Sequence, residues 1–126
     1  MTERRLFFLL IAVALALYLP TASGLVTWSH FGEDGPELEG AARTLGIAHP
    51  PGYPLFILGA HVLGTFLPPP ASAVNLLTLL AAAVAVGAVG ILTIRMLERA
   101  GFRNAWPGAL AAALFFAVSP DRKSVV

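Results

Sequence analysis

The stretch from Asn75 to Ile94 is apolar and contains no charged side chain. It is long enough to cross a bilayer, which takes about 20 apolar residues as a helix. The whole chain has the same character, with 57% hydrophobic and 12% charged residues and a mean hydropathy of +0.79, whereas a typical globular domain has about 25% charged residues. The sequence therefore predicts an all-α, polytopic integral membrane protein, with one span at residues 74–96.

Two further apolar segments flank this span. The first covers residues 6–26 and follows Arg4 and Arg5. A basic start, an apolar run and the small residues Ala22 and Ser23 are also typical of a cleaved signal peptide. We predict a retained helix, because the apolar character persists beyond any cleavage point, and a cleaved leader is the alternative. The other segment, residues 105–120, begins with an interfacial tryptophan and a first-turn proline and predicts a partial span.

Small residues recur along the central span at Ala83, Gly87 and Gly90. Small side chains let a second transmembrane helix approach closely. We therefore expect a helix to pack against this face.

The last six residues, Asp121 to Val126, can be encoded by the first bases of a ligation adapter used in short-read sequencing. Residues encoded by added DNA are not part of the natural protein and contribute nothing to its fold. We expect residues 121–126 to be an artefact and residues 1–120 to be the truncated N-terminal portion of a transmembrane domain. A genuine polar C-terminus is the alternative.

Arginines cluster at two places. Arg4 and Arg5 precede the apolar segment at residues 6–26, and Arg95, Arg99 and Arg103 lie at or after the end of the central span and before the segment at residues 105–120. Short basic flanks face the cytoplasm. The expected topology is a multi-pass protein of the cell inner membrane with a cytoplasmic N-terminus and an extracytoplasmic loop at residues 27–73. The absence of cysteine excludes disulfides and thiolate metal ligands, and a net charge of +1 argues against a nucleic-acid partner.

The acidic half of this loop predicts a helix. Pro36 suits its first position, Asp34 or Gly35 its cap, and Glu37 its acidic first turn, while Gly46 marks its end. Asp34 and Glu37 are three residues apart and would share one side of the helix. The same spacing is also a capping-box pattern with no chemical role.

The proline half of the loop reads HPPGYPLF, from His49 to Phe56. Its prolines predict extended backbone at His49 and Tyr53 and a type II turn centred on Pro51 and Gly52. Such a stiff segment could hold an imidazole and a phenol for ligand binding, or simply form a rigid loop. The apolar run at residues 55–67 is short for a span and predicts an interfacial helix.

The runs D-G-P-E-L, L-G-I-A-H-P-P-G-Y-P-L-F and V-N-L resemble the N-terminal signature of glycosyltransferase family 117. This is a bacterial polytopic membrane family, formerly a domain of unknown function, and it is similar to a transmembrane protein O-mannosyltransferase. Asp34 and Glu37 match the acidic motif of the family, although Gly35 and Pro36 replace its middle pair. The stretch from His49 to Phe56 matches throughout.

The resemblance implies a GT-C-like transmembrane domain that moves a sugar from a polyprenyl phosphate to a protein or glycan hydroxyl outside the membrane, with inversion. It implies Asp34 as general base and Glu37 as the residue that orients either Asp34 or the acceptor. His49, Tyr53 and Arg43 are then candidates for the donor phosphate. No cofactor or metal ligand set is expected, although a divalent cation is conceivable, and the fragment alone is expected to be inactive.

A non-catalytic reading competes with this one. A transporter or assembly subunit could use the capping box and the proline turn only to shape its outer loop. Sugar transfer by the full-length protein distinguishes the two hypotheses.

Overall fold

The computed structural model describes residues 2–22, 34–67 and 72–119. Over these ranges the chain is helical and contains no strand. Helix α1 covers Glu3–Tyr18 and continues as a short 3₁₀ helix at Leu19–Thr21. The other helices are α2 (Asp34–Thr44), α3 (Pro54–Gly64), α4 (Ala73–Arg99) and α5 (Trp106–Val118).

Two of the described helical segments are long and apolar enough to cross a membrane, Glu3–Thr21 and Ala73–Arg99. They overlap the segments predicted as spans, residues 6–26 and 74–96, of which residues 23–26 lie outside the described part. Helix α5 forms where the partial span was predicted, and helix α3 forms at the predicted interfacial helix. Both are shorter apolar helices.

The chain divides into two compact units. Of the described residues, one unit comprises 2–21 and 79–119, and the other comprises 22, 34–67 and 72–78. Helix α4 contributes residues 73–78 to the second unit and its remaining length to the first.

The first unit is held together by small residues at its helix contacts. Leu6, Leu10 and Ala14 recur at a spacing of four and are all buried on α1. A Cβ placed on Gly87 of α4 would lie 2.9 Å from the Phe7 ring, and one placed on Gly90 would overlap the Leu10 side chain. The close approach expected at Gly87 and Gly90 is thereby confirmed.

Gly90→Val is expected to destabilise the first unit. Leu10 is fully buried and its side chain occupies the place of the added Cβ, so the added side chain overpacks the contact at a cost of about 1–3 kcal/mol. Thermal unfolding of the detergent-solubilised chain measures this. Gly40→Ala is the control, because no atom lies within 4 Å of its added Cβ. Equal melting temperatures for Gly90→Val and the unsubstituted chain would contradict the packing described.

In the second unit, α2 and α3 pack together with the start of α4. Ala42, Ala60, Ala73 and Val74 form one buried cluster. Three of these four residues are alanines, so the three backbones lie close together. This packing fixes the position of the first turn of α2, where the acidic residues lie.

Helix α2 differs from its predicted bounds at both ends. It begins at Asp34, so Asp34 is the first helical residue instead of the cap and Pro36 is the third. Pro36 fits there because the first N–H groups of a helix have no partner within it. At the other end the helix stops at Thr44, before the predicted end at Gly46. Leu45 takes a left-handed conformation, with φ of 51°, and the N–H of Gly46 donates to Ala41 O at 2.9 Å.

The proline turn is also placed differently from the prediction. The N–H of Gly52 donates to His49 O at 2.8 Å, and the Pro50–Pro51 peptide bond is cis. The turn is therefore centred on Pro50 and Pro51, one residue earlier than predicted. Tyr53, the residue that caps α3, is left-handed instead of extended, with φ of 45° and ψ of 49°, and its carbonyl accepts the N–H of Ile57 at 2.9 Å.

Candidate functional site

The side chain of Glu37 joins the first turn of α2 to the proline turn. Its Oε1 accepts the backbone N–H of His49 at 2.6 Å, and its Oε2 lies 2.9 Å from Nδ1 of the His49 ring. Both side chains are about two-fifths exposed. The bidentate contact fixes the imidazole and places a proton on Nδ1.

This contact lowers the pKa of Glu37 below its ordinary value of 4.5, first through the side-chain hydrogen bond from His49 and then through its backbone N–H. Hydrogen bonds to the charged form favour ionisation. A lowered carboxyl pKa stabilises the fold above the ordinary value, and this contribution is lost as the pH falls below 4.5 through the lowered value. The link between α2 and the turn therefore weakens in acid.

His49→Ala is expected to raise the pKa of Glu37 part of the way back towards 4.5, because the imidazole hydrogen bond, the larger cause of the lowered pKa, is lost while the backbone N–H of residue 49 remains. A ¹³C-detected pH titration of the glutamate carboxyls measures the shift. His61→Ala is the matched control, since the His61 ring bonds the carbonyl of Ala42 and not Glu37. An unchanged titration in His49→Ala would show that the two side chains do not interact.

Asp34 lies beside this pair. One oxygen from each of Asp34 and Glu37 and one ring nitrogen of His49 all fall within 4.8 Å of one another. Asp34 and Glu37 are exposed and His49 is half-buried, so a ligand can reach the three groups from solvent. We refer to Asp34, Glu37 and His49 as the acidic-histidine cluster.

Tyr53 completes the cluster's surroundings. Its ring meets the His49 ring edge to face, with centroids 5.5 Å apart and an interplanar angle of 73°. Such aromatic pairs are favourable by about 0.5–1.5 kcal/mol beyond the area they bury. The His49 ring is therefore held by two contacts, the hydrogen bond to Glu37 and the edge-to-face contact with Tyr53.

A second polar group surrounds Glu39, which is only 6% exposed. Its Oε1 lies 2.9 Å from the Arg43 guanidinium. Its Oε2 accepts the Ser72 hydroxyl at 3.0 Å and the Val74 N–H at 3.2 Å, and the Ser72 hydroxyl in turn accepts the Asn75 N–H at 3.1 Å. Glu39 thus links α2 to the first turn of α4, where unpaired N–H groups favour an anion.

A cavity of about 260 Å³ adjoins Glu39. Its polar lining comes from Glu39, Arg43, His61 and Thr65. His61 Nδ1 lies 2.7 Å from Ala42 O, and because a carbonyl oxygen only accepts, Nδ1 is the donor in this contact.

The structure brings together four of the five residues predicted for the site: Asp34, Glu37, His49 and Tyr53. Glu37 contacts His49, so the partner it orients is the imidazole. Arg43, the fifth, pairs with Glu39.

Sequence reasoning missed the roles of Glu39 and His61. The spacing of Glu39 and Arg43 by four residues could have indicated their ion pair. No sequence pattern indicates that His61 contacts the carbonyl of Ala42.

Comparison with known proteins gives one family match. A family model described as "Protein O-mannosyl-transferase TMEM260 N-terminal domain" matches residues 34–124. No curated protein and no solved structure matches the chain. The matched region begins at Asp34 and includes the acidic-histidine cluster, Tyr53 and Glu39.

Proposed function

The chain belongs to the family of the protein O-mannosyl-transferase TMEM260 N-terminal domain, and from this membership we propose that it forms part of a membrane glycosyltransferase. The observation that carries the proposal is the convergence of two carboxylates and an imidazole at the start of the matched region. Both residue types perform general acid–base chemistry.

The proposed donor is a sugar on a polyprenyl phosphate, and the proposed acceptor is a protein or glycan hydroxyl. The apolar helices α1 and α4 support a location in the membrane, where a lipid-linked donor resides. We place the acidic-histidine cluster on the extracytoplasmic side, as the arginine distribution predicts, in a GT-C-like domain of the bacterial inner membrane. Later helices complete the donor pocket in this proposal.

In the proposed reaction Asp34 is the general base. Its carboxylate takes the proton of the acceptor hydroxyl while that oxygen bonds to the anomeric carbon. The bond from the anomeric carbon to the phosphate oxygen breaks, and its electron pair leaves with the polyprenyl phosphate. A single displacement of this kind inverts the anomeric configuration and needs no glycosyl-enzyme. Glu37 acts indirectly, by holding His49 through two hydrogen bonds.

Negative charge develops on the leaving phosphate, and donor groups nearby stabilise it. We assign this role to the His49 ring and the Tyr53 hydroxyl, which lie on adjoining parts of the proline turn. Arg43, whose side chain is half exposed beside Glu39, is a further candidate for the same phosphate.

A transfer assay with the full-length protein in proteoliposomes tests the proposal. Radiolabelled mannose is supplied either as polyprenyl-phosphate mannose or as its nucleotide sugar, together with a serine- and threonine-containing acceptor peptide. We expect transfer from the lipid-linked donor alone. Transfer from neither donor, with the protein correctly inserted, would favour the non-catalytic transporter or assembly subunit.

A further inference from the structure

We propose that an open groove between α1 and α4 binds an anionic phospholipid, whose phosphate is held by Arg4 and Arg95. The groove has a volume of about 480 Å³, and we call it the α1–α4 groove. The residues that line it belong to the first unit, whereas the acidic-histidine cluster belongs to the second. The proposal therefore does not rest on the proposed function.

One end of the α1–α4 groove is charged. Arg95 Nε donates to Glu3 Oε2 at 3.3 Å, and Arg95 Nη2 donates to the same oxygen at 2.9 Å. A guanidinium has five N–H donors in a planar fork, so this ion pair leaves both Nη1 donors for a second anion. The Arg95 side chain is 59% exposed, and an anion in the groove can therefore reach these donors.

Arg4 supplies a second guanidinium to the groove. It is exposed and forms no ion pair with any residue that the structure describes. Its guanidinium carbon lies 5.9 Å from the centroid of the Phe8 ring. Two guanidinium groups against the one carboxylate of Glu3 give this end a net positive charge, which favours a headgroup of net negative charge over a zwitterionic one.

The other lining side chains of the groove are apolar. On α4 they are Ala88, Ile91 and Leu92, which share one face of the helix with Arg95, and on α1 the apolar wall is Phe7. Leu92 is 60% exposed. The groove thus passes from a cationic end to apolar walls, which matches a phosphate headgroup joined to acyl chains better than it matches a free phosphate ion.

The place of the two arginines along their helices also supports a lipid as the ligand. Arg4 is in the first turn of α1 and Arg95 is near the end of α4, and both helical segments are apolar enough to cross a membrane. Helix ends of this kind lie at the level of the lipid headgroups. The arginine distribution predicts that this end faces the cytoplasm, where anionic lipids give the leaflet a negative surface potential. Arginine also binds phosphate through parallel N–H bonds.

Native mass spectrometry of the full-length protein in detergent tests the proposal. The protein is titrated with phosphatidylglycerol or with phosphatidylcholine of the same acyl chains. We expect phosphatidylglycerol to bind at least about tenfold more tightly, because the two arginines meet a net negative headgroup. Excess glycerol phosphate should displace no lipid, because it has no acyl chains to contact the apolar walls. Its displacement of phosphatidylglycerol would assign the groove to a free phosphate and not to a lipid.

Substitutions test the charged end of the groove. Arg4→Gln is expected to weaken phosphatidylglycerol binding about fivefold, the effect typical of one basic residue at an anionic surface. Arg95→Gln should weaken it at least as much, whereas Glu3→Gln should strengthen it by removing the competing carboxylate. The last two variants break the same ion pair, so a purely structural effect would change binding in the same direction in both. Arg5→Gln is the matched control, because it removes the same charge next to Arg4 but does not line the groove.

Three further results would overturn the proposal: equal affinities for the two lipids, equal weakening by Arg4→Gln and Arg5→Gln, or changes in the same direction in Arg95→Gln and Glu3→Gln. Thermal unfolding in the same detergent confirms that each variant is folded.

Discussion

Asp34→Asn in the full-length protein is expected to lower the rate of sugar transfer by about 10²–10⁴-fold, the contribution typical of a positioned general base. The amide keeps the size of the carboxylate but accepts no proton at neutral pH. Because Asp34 makes no hydrogen bond or ion pair within the described part of the chain, the substitution should leave folding unchanged.

Transfer from polyprenyl-phosphate mannose, measured at saturating donor and acceptor, gives the effect of this substitution. Expression level and membrane insertion are compared in the same preparations. Glu98→Gln is the control for loss of one carboxylate, because Glu98 lies in the last turn of α4 and is not part of the acidic-histidine cluster. A transfer rate for Asp34→Asn within about twofold of the original would remove Asp34 from the role of base, since twofold corresponds to only about 0.4 kcal/mol of activation free energy.

Glu39→Ala is expected to have the largest effect on stability, a loss of about 2–3 kcal/mol. Glu39 is buried, and its removal leaves the Ser72 hydroxyl and the Val74 N–H without their acceptor. An unsatisfied buried polar group costs about 1–3 kcal/mol. The Arg43 side chain is half exposed, so water replaces much of its lost ion pair and that part of the cost is small.

Thermal unfolding of the chain in detergent, followed by circular dichroism at a helix wavelength, measures this loss. Glu39→Gln serves as the partner variant, because its amide oxygen can still accept the two bonds from the start of α4. We expect it to lose less than half as much stability as Glu39→Ala. Equal losses in both variants would assign the stabilisation to the charge and not to the link with α4.

The helices of this protein follow from its sequence because long apolar runs without charge admit few other structures. The central run predicted α4, and Gly87 and Gly90 predicted a close helix contact on it. The ends of α2 were harder to predict. Pro36 is tolerated anywhere in a first turn, where N–H groups are unpaired, and a non-glycine residue, Leu45, adopts the left-handed conformation at the other end.

The residues of the candidate site could be predicted from the sequence, but the contacts between them could not. Asp34 and Glu37 were expected to share one side of α2, yet the contact that organises Glu37 is with His49, 12 residues away. That contact depends on where the proline turn is centred, which the prediction placed one residue too late. Glu39 was missed because its hydrogen-bond partners, Ser72 and Val74, are 33 and 35 residues away.

The central claim is that a carboxylate at the start of α2 deprotonates an acceptor hydroxyl in a single displacement on a lipid-linked sugar. The most direct measurement is the anomeric configuration of the product that the full-length protein makes from a polyprenyl-phosphate mannose of known configuration, read from its one-bond carbon–proton coupling by NMR. The account predicts inversion at the anomeric carbon. Retention would require a glycosyl-enzyme or another two-step route and would contradict the role of Asp34 as base.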